Sequence, residues 1–156
     1  LKTAEKNDMK IRVIGDIHPL DEDIKKRILE LEEASRNNGG LNFTIALNYG
    51  SRDEMIRAVK RLAQDCVDQK VKPEDIDEKL YAAYLDTREL PDPDLLIRTS
   101  GELRLSNYLL WQLAYSEFYF TDVPWPDFTK EELIRAIEHY NSRERRFGGI
   151  KEGQDV

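Results

Sequence analysis

The sequence is poor in the features that would place it outside the cytoplasm. It has one cysteine, Cys66, so no internal disulfide can form, and thiol usage fits a reducing compartment. No apolar run approaches the roughly 20 residues of a membrane span, and no signal peptide is visible. Membrane contact is therefore expected to be peripheral at most. Basic charge is also in deficit: 24 Lys and Arg stand against 31 Asp and Glu, a net charge of −7. That balance argues against a general nucleic-acid binder, which would show a basic face. Neither a Gly-x-Gly-x-x-Gly fingerprint nor a Walker-type lysine loop occurs, which counts against a generic nucleotide-binding domain.

What remains is a chain of 156 residues, a length suited to one hydrophobic core. Lys10–Ile14 reads as a strand ending at Gly15-Asp16, where Asp16 suits a turn. Asp21 to about Asn37 reads as a helix with Ile24, Ile28 and Leu31 on its buried face. Phe43–Leu47 reads as a second strand, followed by the turn Asn48–Arg52. Ser51 and Glu54 have the spacing of a capping box that opens the next helix. Met55, Val59, Leu62 and Cys66 form its inner stripe, and Cys66 is expected to be buried there. Asn48 and Arg52 either brace this turn or belong to an active site.

Lys72-Pro73-Glu74-Asp75 reads as the start of a polar helix carrying Leu80, Tyr81 and Tyr84, without evident chemistry. Leu95-Leu96-Ile97 is a short buried strand, and Glu117–Phe120 a last, aromatic one. Thr129 and Glu132 repeat the capping-box spacing ahead of a helix with Leu133, Ile137 and Tyr140. Strands alternating with helices predict an α/β fold, a single layered domain with a mainly parallel sheet flanked by helices.

The densest chemistry lies in Asp94–Asn107, DLLIRTSGELRLSN. Arg98 falls where its strand should end, Gly101 permits a sharp turn, and Ser106 suits the N-cap of a helix carrying Leu109, Leu110, Leu113 and Ala114. Two arginines, a hydroxyl and a helix N-terminus would then converge beyond the carboxyl end of a strand, where open α/β sheets bind ligands. Guanidinium groups and helix N-termini both favour phosphate. The competing reading pairs Arg98 and Arg104 with acids such as Glu102 on a solvated loop.

The run DLLIRTSGELRLSNYLLWQLAYSEFYFTDVPWPDF (Asp94–Phe128) closely resembles the long signature of the cis-prenyltransferases, including bacterial undecaprenyl diphosphate synthases. IRVIGD (Ile11–Asp16), LNYGSRDEM (Leu47–Met55) and NSRERRFGG (Asn141–Gly149) continue the resemblance in the family's order and spacing. It implies transfer of isopentenyl units from isopentenyl diphosphate to an allylic diphosphate such as farnesyl diphosphate. The new double bonds are cis, and the product is a long polyprenyl diphosphate, by default undecaprenyl diphosphate for wall synthesis.

The resemblance also implies roles for single residues. Arg98, Arg104 and Ser106 match the clamp for isopentenyl diphosphate, and Glu117 matches a glutamate associated with Mg²⁺. Arg146 and Gly148 match an Arg-x-Gly motif that reaches across a homodimer interface toward the partner's diphosphate. Read alone, Glu117 is a surface strand residue, and Arg146 belongs to a basic helix end complementing its own dipole. The resemblance places the Asn48–Arg52 turn beside the active site.

The family's N-terminal motif, close to MDGNGRWA and holding its essential aspartate, does not occur in this sequence. The expected organisation is a cis-prenyltransferase domain over 1–149 lacking its N-terminal segment and first strand, with a flexible tail at 150–156. The alternative is a truncated or non-catalytic subunit that binds isopentenyl diphosphate without turnover.

Overall fold

The structure is a computed structural model that describes residue 4 and residues 6–142. Arg146, Gly148 and the tail at 150–156 lie outside the described residues. Among the described residues, eight strands and α-helices follow one another in chain order. They are β1 (Lys10–Ile14), α1 (Glu22–Ser35), β2 (Asn42–Ala46), α2 (Ser51–Val67), α3 (Glu78–Ala82), β3 (Leu95–Arg98), β4 (Glu117–Phe120) and α4 (Lys130–Asn141). Parallel strands flanked by helices make this an α/β protein, as the alternation predicted.

Contacts divide the chain into two compact units, Leu1–Pro91 with Leu105–Trp111, and Asp92–Arg104 with Gln112–Val156. In the first, β1 and β2 run parallel with Ile14 opposite Ala46, and α1 packs on β1. Ile14, Ile28, Leu62 and Leu85 are buried there, and Ala58 is fully enclosed. In the second, β3 and β4 run parallel with Arg98 opposite Phe120, and α4 packs on β4. The four described strands thus form two parallel pairs instead of one continuous sheet. On the side of β1 away from β2, the amides of Ile11 and Val13 donate to the side chains of Ser35 and Glu32.

Several local expectations are corrected. Leu109 and Leu113 are buried as their spacing suggested, yet residues 106–115 form turns and no helix. Ser106, Asn107 and Leu109 have φ of 50, 62 and 44°, on the wrong side of zero for a right-handed helix. Pro73–Asp75 is a short 3-10 turn, and the helix after it shrinks to the five residues of α3.

The buried stripe of α2 is Ser51, Glu54, Ala58 and Leu62, rotated from the expected one; Val59 is exposed and Cys66 only half-buried. Apolar periodicity misplaced this face because its first turn buries two polar side chains that find partners inside. On α1, Ile28 is buried and Ile24 exposed. On α4 the fully buried residue is Ala136, while Leu133 and Ile137 remain more than 40% exposed.

Neither capping box closes. Gly50, not Ser51, is the N-cap of α2, and Thr129 caps α4 without a side-chain bond to its amides. Glu132 pairs instead with Arg135.

Candidate diphosphate-binding site

In the first unit, two strand ends are stitched together. Gly15 follows β1 with φ of 112° and leaves no room for a side chain, since a Cβ there would lie 2.2 Å from the Leu47 carbonyl oxygen. The Asp16 amide donates to the Asn48 carbonyl at 3.2 Å. Asn48, itself at φ 47°, donates its Nδ2 to the Asp16 carbonyl at 2.7 Å. Asn48 therefore braces the turn. Asp16 accepts from the His18 amide through Oδ1, the turn role expected of it.

Beyond these strand ends lies the N-terminus of α2, whose first amides have no partner within the helix. Asn107 occupies two of them. Its carbonyl accepts from Ser51 N at 2.8 Å and its Oδ1 from Arg52 N at 2.9 Å. The Ser51 hydroxyl in turn accepts from Leu110 N. The Asn107 segment is thus spent on capping α2 and not on opening a helix of its own. Arg52 has an exposed side chain and makes no ion pair among the described residues.

Beneath the turn is a polar network that periodicity did not reveal. Glu54 is fully buried. Its Oε2 accepts from the Tyr49 hydroxyl at 2.6 Å and its Oε1 from Asp86 N at 2.8 Å. Asp86 receives both terminal nitrogens of Arg57, at 3.0 and 2.8 Å, and also the Gly15 amide at 3.2 Å. Burial first, then the Glu54 hydrogen bond and charge, push the Tyr49 phenol well above its ordinary pKa of 10.0. One carboxylate, Asp86, thereby ties the end of β1 to α2. The legible signal was a Glu at the fourth position of the helix, five residues after a Tyr, which sequence reading assigned to capping.

In the second unit, β3 ends at Arg98, and Thr99-Ser100-Gly101 turns the chain. Ser100 and Gly101 have φ of 67 and 68°, consecutive left-handed residues whose amides donate to Val123 and Thr121 carbonyls. Arg98 is half-buried and makes no ion pair among the described residues. Arg104 is exposed and paired with Glu102. The two sequence readings thus divide: Arg104 follows the solvated-loop reading, and Arg98 leaves a guanidinium uncommitted at a strand end. Ser106 belongs to the first unit and is exposed, with no helix behind it.

Glu117 opens β4 opposite Leu95, whereas Arg98 closes β3 opposite Phe120. Three steps of about 3.3 Å put the two about 10 Å apart along the strand direction. Among the described residues, no three His, Cys, Asp or Glu side chains converge to hold a metal ion. Glu117 offers one hard oxygen donor. Mg²⁺ fits that supply when water and phosphate oxygens complete its shell, as they usually do.

Comparison with known proteins gives the setting. Residues 1–148 match the Prenyltransf family, described as putative undecaprenyl diphosphate synthase. The isoprenyl transferase of Bacillus anthracis is 51% identical over 142 residues, 91% of this chain and 55% of that protein. The isoprenyl transferase of Streptococcus agalactiae is 51% identical over 150 residues, covering 94% and 60%.

Among solved structures, lavandulyl diphosphate synthase from Lavandula x intermedia, in complex with dimethylallyl diphosphate, superposes with a TM-score of 0.89. It is 39% identical over 92% of this chain and 62% of its own. A probable undecaprenyl diphosphate synthase from Campylobacter jejuni gives 0.83 at 36% identity, over 95% and 67%. The chain spans a little over half the length of the curated relatives it matches.

Proposed function

Because the chain belongs to the undecaprenyl diphosphate synthase family, we propose that the full protein transfers isopentenyl units from isopentenyl diphosphate to an allylic diphosphate. The acceptor's diphosphate leaves with its electron pair, the C3–C4 alkene of isopentenyl diphosphate bonds to the vacated carbon, and a proton is lost from C2. The product is one cis isoprene unit longer. Repetition yields a long polyprenyl diphosphate, which we take to be undecaprenyl diphosphate.

The observation that supports this most is Arg98, a half-buried guanidinium at the carboxyl end of a strand with no carboxylate neutralising it among the described residues. Such a group receives diphosphate oxygens through paired, charge-assisted bonds. On the family motif, Arg104, once it exchanges Glu102 for the ligand, and the Ser106 hydroxyl are assigned to the same diphosphate. Arg146 and Gly148 are assigned, on the family motif, to the diphosphate site of a homodimer partner. Arg52 lies beyond the turn braced by Asn48 and is assigned to the same anionic substrates. Bound Mg²⁺ would neutralise charge developing on diphosphate oxygens, with Glu117 as its protein ligand. The site is proposed to work in the cytoplasm; no described helix is long and apolar enough to cross a membrane.

The test is calorimetric titration of isopentenyl diphosphate, with and without Mg²⁺, followed by transfer assays on farnesyl and dimethylallyl diphosphates. Mg²⁺-dependent binding with chain elongation supports the synthase. Binding without elongation identifies a subunit that holds isopentenyl diphosphate but does not turn it over, and preference for ATP or NAD sinks both readings.

A further inference from the structure

Residues 106–110 hold a backbone that their own sequence does not favour. Ser106, Asn107 and Leu109 lie at φ of 50, 62 and 44°. Of the three, only asparagine visits that left-handed region readily, so Ser106 and Leu109 stay there because neighbours hold them. Those neighbours are the turn before α2 and its first residues, and the anchoring is densest at Asn107. Its carbonyl accepts from Ser51 N at 2.8 Å and its Oδ1 from Arg52 N at 2.9 Å. Leu110 N donates to Ser51 Oγ at 3.0 Å, and the Tyr108 ring meets Tyr49 edge-on at 5.7 Å. Gly50 completes the fit, because a Cβ on it would lie 2.8 Å from Asn107 Nδ2. Its own φ of −147° suits any residue, so what its missing side chain leaves is room for Asn107.

We propose that Asn107 is a positioning residue for isopentenyl diphosphate: it pins residues 106–110 to the first turn of α2 and so fixes the Ser106 hydroxyl where the diphosphate binds. The proposal rests on the assignment of Ser106 to that diphosphate and adds what holds the hydroxyl in place. A serine hydroxyl sits on a short side chain, so the backbone that carries it sets its direction. Relaxation of Ser106 to a negative φ would turn the hydroxyl to another side of the chain. Asn107 Oδ1 binds the Arg52 amide one residue away from Ser106, so a single contact keeps Ser106 and Arg52 in register. Groups fixed in advance bind a ligand without first having to be ordered. Asn107 itself touches no substrate in this role. A cap that only stabilised α2 would change the amount of folded protein, and not the affinity for one substrate over the other.

The test is steady-state kinetics of the full-length protein with each diphosphate varied in turn. Asn107→Gly keeps the left-handed backbone and removes only the side chain. It should raise KM for isopentenyl diphosphate by about tenfold, as for one lost hydrogen bond to a charged group, and leave KM for the allylic diphosphate within about twofold. Gly50→Ala, by crowding Asn107, should raise the same KM in the wild-type background. It should add nothing to Asn107→Gly, where no side chain remains to be crowded. If Asn107→Gly does not fold, Gly50→Ala alone must still raise that KM and not the other.

Equal rises in both KM values, or a fall in kcat alone, would make Asn107 a structural cap and overturn the proposal. So would a Gly50→Ala effect of the same size in both backgrounds. Wild-type protein that elongates, with KM for isopentenyl diphosphate unchanged by Asn107→Gly, sinks this role and leaves the proposed function standing. Wild-type protein that does not elongate sinks the proposed function and this role with it.

Discussion

Arg57 grips Asp86 through both terminal guanidinium nitrogens, Nη1 to Oδ1 at 3.0 Å and Nη2 to Oδ2 at 2.8 Å, joining α2 to the segment after α3. The carboxylate is 14% exposed and the guanidinium 24%, so water screens the pair only partly. Truncating either partner leaves the other charge half-buried. Arg57→Ala and Asp86→Ala should each lower unfolding free energy by about 2–3 kcal/mol in urea titrations. The double variant should lose less than the sum, with coupling of about 1–2 kcal/mol. Strict additivity would show that the contact contributes nothing of its own.

Tyr49 meets the fully buried Glu54 across 2.6 Å, which makes a proton-dependent prediction possible. Burial and the adjacent carboxylate raise the phenol above its ordinary 10.0 in the folded state. The unfolded chain therefore loses this proton first as pH rises. The stability it contributes is fully present below about pH 10 and is lost as pH climbs through the folded value. Tyr49→Phe should cost about 1–3 kcal/mol at neutral pH by leaving one Glu54 oxygen short of a donor. It should also flatten the alkaline limb of the stability profile. Superimposable limbs for wild type and variant would remove Tyr49 from that transition.

These two contacts also mark where sequence reading stopped. The short strands were legible, because apolar runs bounded by Gly, Pro and Asn have few alternatives: β1 and β4 have the expected bounds, and β2 is displaced by one residue. Arg98 at a strand end was legible for the same reason. The inner face of α2 was not, since Ser51 and Glu54 look like surface residues until their distant partners are known. Asn107 was harder still. Its position after Ser106 suggested the start of a helix, whereas its backbone and side chain cap α2, 55 residues upstream of it in the case of Arg52. Local propensity cannot register a partner at that separation.

Two glycines should respond very differently to a single methyl group. At Gly15 a Cβ would meet the Leu47 carbonyl at 2.2 Å and the Tyr49 backbone at 3.1 Å, and backbone cannot swing aside. Gly101 has φ of 68°, but the nearest atom to its Cβ would be Asp122 Oδ1 at 2.8 Å, the end of a movable side chain. Gly15→Ala should therefore cost about 3 kcal/mol or more, or prevent folding. Gly101→Ala should cost about 1–2 kcal/mol, mostly for a left-handed residue bearing a Cβ. Thermal melts of both variants check the order, and a reversed order would mean that the Gly15 turn relaxes more easily than its geometry implies.

Arg98 and Arg104 are both proposed to clamp isopentenyl diphosphate, yet their surroundings predict unequal behaviour in the full-length protein. Arg98 has no ion-pair partner among the described residues, so ligand oxygens compete only with water for it. Arg98→Ala should reduce kcat/KM for isopentenyl diphosphate by about ten- to a hundredfold, the range for losing a charge-assisted bond. Arg104 must first release Glu102, an exposed pair of the kind that contributes little. Arg104→Ala should thus cost less than Arg98→Ala. Glu102→Gln should lower KM by a few-fold, at most about fivefold, because a neutral amide competes more weakly for the guanidinium. Steady-state kinetics with saturating allylic diphosphate isolates the effect on isopentenyl diphosphate. An Arg98→Ala enzyme with unchanged kcat/KM would remove the clamp assignment. A Glu102→Gln enzyme with raised KM would show instead that Glu102 orients Arg104 toward the ligand.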